Sequence, residues 1–418
     1  MVDIAVVGHL PGTSSATLIG GISIGTMLFD LLYWNFGFLR AGTGGLTAQA
    51  YGRKDNTLGI LWRALRIAAI SGVALVILQW VVVQLAFLVI QCSSEVRELA
   101  TRYFYIRIWA APATLSLFAF KGWFIGLQDS VRPMVADLLV NGLNMVLSVL
   151  LGFGYMGLPA MGFAGVALGT VIAQYSGLLY CVVAARRKAG KEMAGQAGHD
   201  ASIDARDFFT LNRDLFLRSL GMIAVYIGFT VLSAKHGDLM LAVSTILMKF
   251  LMIFSYFTDG FAYAGEALTG RFIGEGSSEG VHATVRQTFA WGWGMAVLFM
   301  LAYGLGGTPL FHLMTSAPEV VEAGKQFLPW LLLMPLVGTP AFVWDGIYTG
   351  ATDGPDLRNS TLLCAIGFFA VWYLGCALGL NATPESAIHL LMTAYFTHLA
   401  VRTVYLTMRS KRVLGVRV

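Results

Sequence analysis

The sequence predicts an all-α polytopic membrane protein: two six-helix lobes related by an internal repeat, with the first of the 12 helices N-terminally truncated. Three observations carry this expectation. Only 12% of the 418 residues are charged, 57% are hydrophobic, and the mean hydropathy is +0.70; a soluble domain needs about 25% charged residues to cover its surface. Apolar stretches of spanning length recur along the whole chain. The second half echoes the first at a nearly constant offset. Strand-like alternation is absent, which argues against a transmembrane barrel. Cys92, Cys181, Cys364 and Cys376 are far apart and form no C-x-x-C. They are expected to be buried apolar side chains rather than a disulfide framework or a zinc site.

A spanning helix needs roughly 20 apolar residues. The first half offers stretches at 18–50, 60–90, 103–126, 133–154 and 161–185. The second offers 214–234, 239–269, 287–312, 326–350, 360–380 and 386–408. Two are long and rich in glycine, and are expected to tilt or to continue past the membrane. The polar run 186–213 reads as a cytoplasmic linker. It separates an N-lobe at 1–185 (truncated helix 1 plus helices 2–6) from a C-lobe at 214–408 (helices 7–12), followed by a basic tail at 409–418. If the 11–17 loop is outside, the inner segments hold 16 Lys and Arg and the outer ones only 4, namely Arg97, Arg102, Lys235 and Lys325. Basic residues stay in the cytoplasm, so the C-terminus is expected there, in a multi-pass protein.

The repeat is specific. "GLTAQAYGRKD" at 45–55 aligns with "ALTGRFIGEGS" at 267–277, and Leu46/Leu268, Thr47/Thr269 and Gly52/Gly274 are identical. Pro112 and Pro335 follow, each within a helix. "KGWFIGLQD" at 121–129 then meets "DGIYTGATD" at 345–353, sharing Gly122/Gly346, Gly126/Gly350 and Asp129/Asp353. Repeated membrane halves are the architecture of secondary transporters, whose site lies between them. An offset of this size places the missing first helix just before residue 18. "MVDIAVVGHL" is therefore expected to be its outer end, with the beginning of that helix absent. It lacks the basic region and cleavage site of a signal peptide.

Ionisable groups within a bilayer are costly and need a partner or a task. The buried acids are expected to be Asp3, Asp30, Asp137, Asp259, Glu266 and Asp345, and the buried bases Arg40, Arg107, Lys121 and Lys249. Arg63, Arg66, Arg218 and Arg402 fall near enough to helix ends to snorkel. Asp3 precedes Pro11 by eight residues, on the order of 12 Å below the outer surface. Desolvation there favours the neutral acid, so the group can exchange a proton; an acid paired for folding is the plainer alternative. Asp137, Asn141, Asn144 and Ser148 recur along one stripe of one helix and read as a polar cavity wall. Asp259, Tyr263 and Glu266 share another face, with Lys249 upstream and Arg40 in a comparable region of the first half. They read as cavity-lining residues or as an internal salt-bridge network. No P-loop is present, so ATP is not the energy source in this chain. No His pair has metal spacing, and "GYMGLPAMGFAGVALG" lacks the strand context of a nucleotide fold.

"VDIAVVGHL", "LRAGTGGLTAQAYG", "WFIGLQDSVRPM", "LPAMGFAGVALGTVIAQY" and "DGFAYAGEALTGRFIG" occur in this order. Together they resemble the multidrug and toxic compound extrusion (MATE) transporters, and within them the DinF-like branch. The resemblance implies two six-helix lobes around a V-shaped cavity. It implies a secondary efflux carrier, not an enzyme, that exports organic cationic or amphipathic compounds in exchange for H⁺ or Na⁺ by alternating access. It implies a bacterial inner-membrane location, small-molecule substrates and lipids as partners, a monomer, no nucleic acid and no cofactor beyond the coupling ion. The branch's coupling site then maps onto Asp3, Asn144, Ser148 and Thr170. Ser148 stands where the pattern has Asp, which favours H⁺ over Na⁺. About 30 residues that normally precede Asp3 are absent; a misplaced start is favoured over a true truncation. The alternatives are a flippase for lipid-linked precursors, which would want a cationic cavity, and a non-functional truncated transporter.

Overall fold

A computed structural model describes residues 6–7, 15–90, 92–157, 159–193, 205–315 and 317–415. Among them every regular element is helical. Ten helical stretches are long and apolar enough to cross a membrane, and the 26-residue helix Pro384–Arg409 is a longer-than-span but more polar eleventh. The chain divides into two compact units. The first holds Met1–Thr43 and Lys54–Ser202; the second holds Gly44–Arg53 and Ile203–Val418.

In the first unit, α1 (Ser15–Asn35) gives way at Phe36 to α2 (Gly37–Gly52), whose last turns count with the second unit. The next span is α3 (Leu58–Ile77), which breaks at Leu78 before the short apolar α4 (Gln79–Val89). α5 (Ser94–Arg107) is capped by Ser93, whose hydroxyl accepts from the Val96 amide at 3.4 Å. A tight turn at Ile108–Ala110 leads into α6 (Ala111–Gly126). Pro112 sits in the first turn of α6, where a missing N–H costs nothing; the helix restarts at this proline rather than running through it. α7 (Val131–Phe153) ends on Gly154, at φ +76°, before α8 (Gly162–Met193).

The second unit contains α9 (Ala205–Ala234), α10 (Asp238–Gly274), α11 (Ser278–Met314), α12 (Pro318–Gly324), α13 (Leu328–Gly350), α14 (Gly354–Ala377), α15 (Pro384–Arg409) and α16 (Lys411–Leu414). α11 is broken at Gly307 (φ +40°), two residues before Pro309, whereas α10 runs on for 37 residues. At about 1.5 Å per residue that is roughly 55 Å, well beyond a hydrocarbon core of about 30 Å. Both ends of the 186–213 run are helical, since α8 continues to Met193 and α9 begins at Ala205.

The repeat is visible in the backbone. Lys54 (φ +62°) and Gly276 (φ +70°) turn left-handed at equivalent positions, as do Gln128 (φ +59°) and Thr352 (φ +56°). Next to the second pair, Asp129 Oδ1 accepts from the Arg132 amide at 3.3 Å and Asp353 Oδ1 from the Asp356 amide at 3.2 Å. The same side-chain cap thus closes the same loop twice. Burial holds the Asp353 carboxyl above the usual carboxylate range.

Within the second unit, residues 44–53 lie backbone to backbone against α10. A Cβ added at Gly52 would sit 2.0 Å from the Arg271 carbonyl oxygen, and one at Gly274 would sit 2.1 Å from that of Gln49. The two contacts are the repeat images of each other. Small residues permit such approach in membrane helices. Gln49 adds a bond from Nε2 to the Gly350 carbonyl at 3.1 Å. Gly274→Ala is therefore expected to lower the melting temperature in detergent, by the 1–3 kcal/mol typical of overpacking. Gly260, on the same helix with nothing within 4 Å, provides the control. Gly260→Ala should leave stability unchanged or raise it by up to about 1 kcal/mol. Equal effects at both positions would refute the crossing.

Candidate functional site

In the first unit α7 and α8 approach through glycines of α8. A Cβ at Gly165 would lie 2.4 Å from the Leu151 carbonyl oxygen, and one at Gly169 would lie 3.0 Å from the Ser148 nitrogen. That closeness brings two of the expected site residues together. Asn144 Nδ2 donates to Thr170 Oγ1 at 2.8 Å, and Thr170 Oγ1 donates to the Val166 carbonyl at 3.3 Å. Thr170 is buried, and Ser148, one turn along α7 from Asn144, is fully buried. Asn144, Ser148 and Thr170 are all neutral. Asp3 lies outside the described residues. Val6 and Val7, just after it, are buried in the same apolar cluster as Val166 and Ala167 of α8.

The stripe at 137–148 does not behave as one surface. Asn141 is exposed and donates to the Asp137 carbonyl at 2.9 Å. The half-exposed Asp137 carboxylate is ion-paired with Lys121 of α6. The stripe thus runs from an exposed ion pair at 137 to an enclosed polar contact at 144–170. Arg40 is half-buried on α2.

In the second unit, Asp259 is half-buried, Tyr263 is 37% exposed, and Glu266 is almost wholly buried. Lys249 is exposed, two turns and more before Asp259. The main ionic feature here is one the sequence reading missed. Asp345 of α13 binds Arg218 of α9 at 2.6 Å and Arg402 of α15 through Nε at 2.9 Å, with a second, shorter contact to the same arginine. Arg402 is fully buried, and Asp259 acts on it electrostatically. Arg218 and Arg402 therefore do not snorkel: the carboxylate at 345 draws both inward. A signal was present, because Asp345 is the repeat partner of Lys121. The same position carries opposite charges in the two halves, and each is ion-paired.

Comparison with known proteins agrees with this architecture. The MatE family model matches residues 1–150 and 215–374. DNA damage-inducible protein F of Escherichia coli K12 is 35% identical over 412 residues, covering 96% of this chain and 85% of that protein. A probable multidrug resistance protein NorM of Thermotoga maritima is 24% identical over 388 residues, covering 89% and 78%. Among solved structures, a MOP superfamily transporter from Pyrococcus furiosus superposes with a TM-score of 0.82 at 17% identity, covering 99% of this chain and 91% of that one. The chain belongs to the MatE family, the multidrug and toxic compound extrusion transporters.

Proposed function

We propose that this multidrug efflux transporter exports organic cationic or amphipathic compounds in exchange for H⁺, with Asp3 as the coupling carboxylate and Asn144, Ser148 and Thr170 as the polar residues of the coupling site. The C-terminus and the basic loops face the cytoplasm of a bacterial inner membrane, in keeping with the 16-to-4 division of Lys and Arg. The observation that carries the reading is the neutral polar contact between α7 and α8. Asn144 and Thr170 are bonded to each other, and Ser148 brings no charge. A sodium site built here would lack the second carboxylate. A single protonatable acid needs only polar neighbours to steady its charged form. Protonation of Asp3 from outside would then shift the first-unit helices and expel substrate, and the deprotonated carrier would reload from the cytoplasm. Domains 1–185 and 214–408 act as the two lobes of this cycle, joined by 186–213. A flippase would want uncompensated bases; Arg218 and Arg402 are bound to Asp345.

The test is dye efflux from proteoliposomes. A cationic dye should leave along an imposed pH gradient and be indifferent to replacement of Na⁺ by K⁺. Efflux that follows the sodium gradient, and not the proton gradient, would overturn the reading.

A further inference from the structure

The first unit has a cavity of about 700 Å³ between α4 and α5, at the end away from the 53–57 and 127–130 loops. Its polar lining is Gln84, Ser94, Arg97, Glu98, Thr101 and Arg102. The five on α5 follow a helical repeat that keeps them toward one groove. Arg97 and Arg102 are exposed, and the Arg97 guanidinium stands 4.9 Å over the Phe87 ring. That cation–π contact steadies the guanidinium, whose five N–H donors can also serve a ligand.

Two features say what the ligand is. These arginines are two of only four basic residues on the side where basic residues are avoided. They work against the topology signal rather than for it; this step rests on the orientation proposed above. They also lie near the start of the apolar helical stretch Ser94–Gly126, which in that orientation is its headgroup end. Arg97 and Arg102 are three and eight residues from the start of α5, about 5 and 12 Å along its axis, and a long arginine can reach outward from the deeper position. The apolar lining of the cavity is Val83, Tyr105 and Ile106, and the same short helix α4 exposes Trp80, Leu85 and Leu88 at 63%, 59% and 79%. A paired guanidinium site next to an apolar wall fits a phosphate ester with acyl chains.

We propose that this cavity binds the phosphodiester headgroup of an anionic phospholipid, held by Arg97 and Arg102 with Gln84, Ser94 and Thr101 as neutral donors. Glu98 opposes the anion and limits its affinity. The test uses the full chain in detergent, with bound lipid counted by native mass spectrometry. Dioleoyl-phosphatidylglycerol should bind and dioleoyl-phosphatidylcholine should not compete. The double variant Arg97→Gln/Arg102→Gln should weaken phosphatidylglycerol binding by about 30-fold, from two surface charges. Glu98→Gln should tighten it, a change of opposite sign that a folding defect does not produce. Glycerol phosphate serves as the soluble arm. If the double variant loses its binding too, soluble phosphate esters share the site; if it does not bind at all, the ligand is the lipid. Equal phosphatidylglycerol binding by wild type and double variant, or no response to Glu98→Gln, overturns the proposal. The readout needs no transport, so failure of proton-coupled efflux would leave it standing, and the reverse.

Discussion

Asp345→Ala is expected to be the most damaging single substitution for folding in the second unit. It removes the carboxylate that holds both Arg218 and Arg402. Arg402 is fully buried and cannot reach water, so its charge would lose the carboxylate that pairs with it. Breaking a buried pair by deleting one partner costs about 3–5 kcal/mol. Against a total stability of about 5–15 kcal/mol, that removes a large share. The effects should be ordered. Asp345→Ala should be severe, because it strands the buried Arg402 charge, whereas Arg402→Met should be milder, because Asp345 keeps its ion pair with Arg218. Arg218→Leu should be milder as well, since Asp345 keeps Arg402 and Arg218 retains some solvent access, at 16%. The measurement is the melting temperature and monodisperse yield in detergent. Wild-type melting by Asp345→Ala would show that the cluster is not what ties α9, α13 and α15 together.

This cluster also marks the limit of what the sequence disclosed. Counting residues to a helix end sees only one helix. It made Arg218 and Arg402 snorkelling residues, because their partner lies 127 and 57 positions away in the chain. The helices themselves were legible because each must present about 20 apolar residues to lipid. The repeat was legible because loops with fixed backbone turns keep their residues, as Asp129 and Asp353 do. The breaks at Phe36 and Leu78 were not, since neither carries a proline. The assignment of residues 44–53 to the second unit was equally hidden, although Gly52 and Gly274 were already matched as repeat partners; what they share is a backbone crossing, which sequence identity alone does not reveal. At the candidate site, the stripe arithmetic placed Asn144 and Ser148 together but said nothing of α8. The partner Thr170 came from family resemblance, and the glycines at 165 and 169 are the physical reason the two helices come close enough for the bond.

Asp3→Asn is expected to abolish pH-driven efflux, reducing it to the rate of protein-free liposomes. Asparagine matches the protonated acid in shape and charge but cannot release a proton. The variant would therefore stay in the state that the proposed cycle uses to expel substrate. Binding and protonation oppose each other in that cycle, and such coupling is reciprocal. Wild-type dye affinity should rise with pH as the carboxylate ionises, and the variant's affinity should be low and flat. A structural role is separated by the polar contact between Asn144 and Thr170. Asn144→Leu removes the bond to Thr170, yet Thr170 keeps its bond to the Val166 carbonyl. Interhelical polar bonds in membranes contribute only about 0.6 kcal/mol on average, so this variant should melt within a few degrees of wild type. If it nonetheless loses the pH dependence of dye binding, the loss belongs to coupling and not to folding. Asp3→Asn with intact pH-driven efflux would remove Asp3 from the mechanism, and the proton would have to be carried by another of the membrane acids, with Asp137, held by Lys121, as the remaining described carboxylate on α7.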